Sequence, residues 1–150
     1  MRIVRVQRED FDASAEARAL TRGRVDVGAV VTFIGLCRDE GGTLATLEIE
    51  HYAGMAEAEM ARVATEAESR WPLAGLVAIH RFGAIRPGDQ IVMVCAASTH
   101  RAAAFAAAEF LMDYLKTRAP FWKRAILADG KSQDWVEAKD SDETAADRWT

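Results

Sequence analysis

The 150-residue chain has two cysteines, three prolines, few aromatics and a net charge of −4. Each scarcity excludes something. Cys37 and Cys95 lie 58 residues apart, with no CxxC spacing and no Cys/His cluster. That argues against a zinc site and against a disulfide-stapled scaffold, and it fits a reducing compartment. Both cysteines sit in apolar runs, where a buried free thiol is the expectation. The longest apolar stretch, residues 27–37, is about half the roughly 20 residues a membrane helix needs. The opening MRIVRVQRED has no signal-peptide core. The expectation is a cytoplasmic protein with no membrane partner. An excess of acids also argues against a general nucleic-acid coat. No GxxxxGK[ST], GxGxxG after a strand, GxSxG or HExxH is present, so nucleotide hydrolysis, dinucleotide redox chemistry and zinc hydrolysis have no support.

Half the residues are hydrophobic and 28% are charged, as in a globular chain of one-domain size. Residues 3–6, 27–36, 43–51, 76–82, 90–97, 121–127 and 134–138 read as strands by β-branched content or alternation. The stretch 27–36 is nearly all apolar, as in a buried strand. Residues 12–23 read as a helix capped by Asp12 and closed by Gly23. Residues 55–71 and 101–116 read as longer helices, stopped by Pro72 and Pro120. Phe105, Ala108, Met112 and Leu115 form the expected apolar stripe of the second. Arg86-Pro87-Gly88-Asp89 is a turn signal between strands. Paired strands joined by tight turns favour an α+β domain over a doubly wound parallel sheet.

Charge is distributed unevenly. Residues 114–128 hold four bases (Lys116, Arg118, Lys123, Arg124) and no acid, whereas residues 129–150 hold seven acids and three bases. A cationic island in an acidic protein is a candidate anion site. Other cations stand at the ends of elements. Arg38 follows the strand 27–36 and opens a glycine loop. His100 and Arg101 stand at a helix start, where Ser98 or Thr99 offers a cap and backbone N–H groups favour anions. A chain reversal at Pro120 would bring Lys116 and Lys123 to one pocket. Each cation also has a plain alternative: Lys116 offsetting a helix dipole, Lys123 and Arg124 as solvated surface, His100 as a local cap. His51 and His80 lie in strands and read as satisfied structural histidines. Three functions stay open on the residues alone: an enzyme acting on anions, a non-catalytic scaffold, and an RNA binder using Phe121 and Trp122.

Five stretches, VVTFIGLCRD (30–39), LEIEHYAGM (47–55), RWPL (70–73), STHRAAAF (98–105) and MDYLKTRAPFWKR (112–124), together with ADRW (146–149), resemble the large, catalytic subunits of molybdopterin synthase. The resemblance runs from about residue 28 to 149 and is loose before that. It implies one domain over 1–150, an α/β hammerhead with an additional antiparallel β subdomain. It implies a sulfurtransferase that converts cyclic pyranopterin monophosphate to the dithiolene of molybdopterin. The sulfur comes from a thiocarboxylate on the C-terminal Gly-Gly of a small ubiquitin-like subunit. The implied assembly is a homodimer of this chain within a heterotetramer, with no metal and no cofactor.

Residue by residue, the resemblance implies Lys116 and Lys123 as the catalytic lysines. It implies Arg38, His100, Arg101 and Arg124 as binding residues beside them. Lys139 corresponds to a late basic position that reaches the neighbouring subunit's site. Ala125 stands where relatives carry Glu. The division of acid and base roles between the two lysines stays open.

Overall fold

The computed structural model describes residues 1–39, 41–136 and 140–150. In chain order its elements are β1 (Arg2–Gln7), α1 (Ala13–Thr21), β2 (Ala29–Leu36), β3 (Leu44–His51), α2 (Met55–Arg70), β4 (Leu73–Arg81), β5 (Gly83–Ile85), β6 (Gln90–Ser98), α3 (Arg101–Thr117), β7 (Phe121–Leu127) and α4 (Asp140–Asp147). One sheet has the order β1-β4-β6-β2 and a smaller one the order β5-β3-β7. The β1–β4 pair is parallel and the remaining pairs are antiparallel. This is the mixed α+β architecture expected.

Strand alternation divides the core between two layers. On β4 and β6, Leu76, Ala78, Val92, Val94 and Ala96 face α2 and α3 and join Met60, Val63, Phe110 and Leu111. Val77, Ile79, Met93, Cys95 and Ala97 face the other way, onto Phe11 and Leu20 around α1. Asp12 caps α1 as expected, accepting from Ala15 N at 3.1 Å. The alanines of α3 (Ala104, Ala107, Ala108) are buried and let the helix lie close to the sheet. Near its C-terminal end, Phe110 packs edge-on against Trp71 and Trp149. Asp113 anchors the chain end by accepting from Trp149 Nε1 at 2.6 Å and Arg148 Nη2 at 2.7 Å.

Several expectations fail for identifiable reasons. β2 is not a buried strand. It is the edge of its sheet, with Val30, Phe33, Ile34 and Leu36 exposed, because an apolar run reads the same whether the chain itself or a second molecule covers it. Of the expected α3 stripe, Ala108 and Leu115 are buried and Met112 is half-buried, but Phe105 is 60% exposed, and the buried face also takes in Ala104, Ala107, Phe110, Leu111 and Tyr114. Residues 132–136 form isolated bridges to β7 at Ser132 and Val136 instead of a strand, and residues 137 and 138 lie outside the described residues. Strands β4 and β6 do pair directly and antiparallel, as the 86–89 turn signal indicated, but the connection is longer than a tight hairpin, since Gly83 (φ 91°) first turns the chain into β5 of the second sheet. Helix α4, too polar to show an apolar stripe, was not expected.

Candidate functional site

The two sheets and the C-terminal end of α3 enclose an open cleft of about 750 Å³. Arg38, Lys116 and Lys123 all line it. Each arrives from a different element. Arg38 follows β2, held by Cys37 N donating to Asp89 O (2.8 Å) and Gly88 N donating to Cys37 O (2.7 Å). Pro87 and Gly88 (φ 89°) at the centre of this 86–89 turn suit a type II geometry. Lys116 is exposed on the last turn of α3. Beyond the reversal at Pro120, β7 pairs with β3 so that Lys123 stands opposite Ile49. The convergence of Lys116 and Lys123 is the one the sequence indicated.

Alternation along β7 separates residues the sequence had grouped. Phe121, Lys123, Ala125 and Leu127 face the cleft. Arg124 points to the opposite side of the strand, donates to Glu48 through Nε (3.1 Å) and Nη2 (3.3 Å), and lies 4.4 Å from the Trp135 ring centroid. Trp122 shares that outer side, packed edge-on against Tyr52. Phe121 and Trp122 therefore do not form one base-stacking platform.

His100 and Arg101 lie elsewhere. They begin α3, and Lys116 is near its end, so at ~1.5 Å rise per residue they stand roughly 22 Å apart along the axis. Neither Ser98 nor Thr99 caps the helix: Ser98 Oγ donates to Pro72 O at 2.7 Å, and His100 occupies the cap position with no side-chain cap bond. Lys139 lies outside the described residues.

Cys37 lines the cleft, but burial, with Asp89 and Asp39 nearby, pushes its thiol pKa up against the opposing effect of Lys123. This is the reverse of an activated thiol. Among the described residues no group of three or more His, Cys, Asp or Glu side chains is arranged to hold a metal. No described helix is long and apolar enough to cross a membrane.

His80 was missed as a site residue. Strand alternation places it on the α3 side of β4, where it lines the same cleft and stacks on Phe121 at 3.8 Å between centroids. His51 is not fully satisfied, because its Nδ1 is buried without a hydrogen-bond partner while the ring packs on Phe82 at 4.4 Å. An alternating strand pattern shows which side a histidine faces, but only the second sheet's position shows that this side borders a cleft.

The sequence profile of the MoaE protein family matches residues 6–118. The molybdopterin synthase catalytic subunit of Mesorhizobium japonicum is 66% identical over 146 residues, covering 97% of this chain and 92% of that protein. Among solved structures, the molybdopterin biosynthesis MoaE protein from Burkholderia ambifaria superposes with a TM-score of 0.85 at 45% identity, covering 99% of this chain and 98% of that one. The crystal structure of molybdopterin synthase from Staphylococcus aureus contains a chain that superposes with a TM-score of 0.78 at 29% identity, over 89% of this chain and 96% of that one.

Proposed function

This chain belongs to the MoaE protein family of molybdopterin synthase catalytic subunits, enzymes of molybdenum cofactor biosynthesis, and from that premise we propose how its cleft moves sulfur. The substrate is cyclic pyranopterin monophosphate, and the donor is the C-terminal thiocarboxylate of a small ubiquitin-like subunit. The fold is read as an α/β hammerhead, one domain over the whole chain, with β5-β3-β7 as its antiparallel subdomain. The compartment is read as the cytoplasm.

The observation that carries this reading is the meeting of Arg38, Lys116 and Lys123 on one cleft. A phosphate and a thiocarboxylate repel each other, and fixed counter-charges are what allow both into one pocket. In this reading Arg38 holds the phosphate side of the pterin. Lys116 and Lys123 stabilise negative charge at the carbonyl and at the pterin, and one of them moves the proton. The thiocarboxylate sulfur forms the new carbon–sulfur bond as a carbon–oxygen bond at the same pterin side-chain carbon breaks and the departing oxygen takes up a proton, and a second thiocarboxylate repeats the exchange at the neighbouring carbon. Water then cleaves the acyl–sulfur bond and returns the tail as a carboxylate. No side-chain nucleophile is needed, in keeping with the raised Cys37 pKa.

His100 and Arg101 enter through a second copy of the chain. Edge strand β2 pairs with β6 so that Ala29 faces Ser98 at one end and Leu36 faces Gln90 at the other. If two β2 edges met antiparallel across a two-fold axis, Arg38 of one copy would lie near the partner strand's start, beside that copy's His100 and Arg101. The exposed Val30, Phe33, Ile34 and Leu36 supply an apolar seam for such a contact. Lys139 is proposed to reach the neighbouring site as well. Arg124 supports β7 from behind through Glu48 and serves the site indirectly.

The test is reconstitution with a thiocarboxylated partner and the pterin precursor, read out as dithiolene product. Lys116→Ala and Lys123→Ala should each abolish product while circular dichroism and melting stay normal. Near-normal turnover in either folded variant refutes the assignment.

A further inference from the structure

The cleft changes character with depth. Arg38 and Lys116 are exposed at its mouth, whereas His80, only 5% exposed, belongs to its floor together with buried Ile91, Val92 and Leu115. His80 is fixed in two ways. Its Nδ1 lies 2.7 Å from the Arg81 carbonyl oxygen, and Phe121 stacks on one face of the ring with the planes 13° apart. A carbonyl only accepts, so Nδ1 carries the hydrogen, and Nε2 of the neutral ring is a bare acceptor. Burial above all keeps the ring neutral, lowering its pKa from 6.5 to about 3. Nε2 has no hydrogen-bond partner among the described residues. It is not sealed in either, since the fully buried side-chain atom left without a partner among those residues is Nδ1 of His51. The acceptor therefore opens on the cleft that His80 lines.

The other polar side chains on the cleft do not duplicate it. Asp39 Oδ1 already accepts from Leu44 N at 3.2 Å and Gly41 N at 3.4 Å. Thr43 and Gln133 are exposed and can both donate and accept. What fits a cationic mouth over an uncharged, accepting floor is a ligand with negative charge at one end and a neutral, hydrogen-bond-donating body at the other. Cyclic pyranopterin monophosphate has that polarity, with a phosphate at one end and amide, amino and ring N–H groups on the pterin. We propose that His80 orients the pterin, its Nε2 accepting a hydrogen bond from a pterin N–H while the phosphate stays with the cations at the mouth. The proposal rests on the functional reading above and deepens it. An acceptor fixed before the ligand arrives loses little freedom on binding. An imidazole held neutral also accepts without adding negative charge, which would repel the two anions of the reaction.

The test uses the full chain assembled with its small subunit, whose tail is left as a plain carboxylate so that bound pterin is not consumed. The three histidines carry ring nitrogens labelled for NMR, and the His80 signal is identified by its loss in His80→Phe. Its Nε2 should stand at the position of a bare ring nitrogen in the free enzyme. It should move toward that of a hydrogen-bonded nitrogen when cyclic pyranopterin monophosphate is added, and inorganic phosphate should leave it in place. His80→Phe keeps an aromatic ring against Phe121 but has no acceptor. By calorimetric titration its affinity for the pterin should fall about tenfold, with its affinity for inorganic phosphate unchanged. An Nε2 signal that does not move with pterin bound overturns the proposal. So does a folded Phe variant that binds the pterin as wild type does, or one that loses both ligands alike. Should the Phe variant not fold, His80→Met takes its place in both measurements. Wild type that moves the Nε2 signal but forms no dithiolene with a thiocarboxylated partner refutes the functional reading and leaves the His80 contact standing, whereas wild type that binds no pterin refutes both.

Discussion

If each active site is shared across a dimer, two dead variants should repair one another. The perturbation pairs Lys116→Ala with Arg101→Ala. In one chain these residues occupy opposite ends of α3, roughly 22 Å apart at ~1.5 Å per residue, too far to act on one reacting atom. Each substitution removes a charge-assisted contact and should lower turnover by about 100-fold or more. After exchange of equal amounts, half the dimers are mixed. Each mixed dimer has one site carrying both lesions and one carrying neither, so the mixture should recover about a quarter of wild-type activity in a two-fold-symmetric assembly. The assay is dithiolene formation with the thiocarboxylated partner in excess, and exchange is verified by capturing an affinity tag carried on one variant. A mixture no more active than its parents, despite demonstrated exchange, refutes the shared site and returns His100 and Arg101 to a local role. The same cross with Lys139→Ala in place of Arg101→Ala tests the late lysine.

A Cys37→Ala, Cys95→Ala double variant should keep turnover once it is folded, since both thiols are buried with raised pKa values; loss of chemistry in a stable double variant would show a sulfur role for a thiol. His80 gives the fold an acid-sensitive component. Its folded pKa is depressed from 6.5 to about 3, so the unfolded chain binds the extra proton between those values, and the contribution is full above pH 6.5 and lost as pH falls toward 3. Urea melts of wild type and His80→Gln should converge as pH drops through that window, and parallel curves would contradict it. Phe110→Ala should cost about 3–5 kcal/mol, since this fully buried ring touches Trp71, Tyr114 and Trp149; a loss below about 1 kcal/mol in a chemical melt would show that the cluster does not hold α3 in place.

Local chemistry carried much of the fold in readable form. Asp12, Gly23, Pro72, Pro120 and the 86–89 turn act within a few residues of themselves, and the structure uses each where the sequence placed it. Lys116 and Lys123 were legible for the same reason, because one reversal at Pro120 is enough to join them. What escaped depends on distant partners. A three-residue strand such as β5 has no period to detect, and it exists because β3 offers an edge. The side of β7 that Arg124 takes is fixed by register with β3, so adjacency to Lys123 in sequence put it on the wrong side of the strand for the cleft. The place of His80 on a cleft wall required knowing that a second sheet stands beside β4. His100 and Arg101 show a different limit: the motif that carries them says that they matter, but not in which copy.

The openness of the cleft bears on why such a site would be built at an edge. Lys116 and Arg38 are exposed in the single chain. In water two unit charges 4 Å apart interact by only about 1 kcal/mol, against about 4 kcal/mol where the effective dielectric falls to ~20. Cations on an open cleft are therefore weak holders of an anion, and salt weakens them further. Phe33, Ile34 and Leu36 both line this cleft and lie along the exposed edge of β2. A protein surface settling on that edge would bury the apolar rim and exclude water from the cations in one event. In the proposed enzyme that surface is the second copy of the chain, so pairing of the two copies does more than bring His100 and Arg101 to the cleft: it lowers the dielectric in which Arg38, Lys116 and Lys123 hold two anions together. The same coupling leaves a lone chain with weakened cations, which limits the capture of stray phosphates by an otherwise acidic protein.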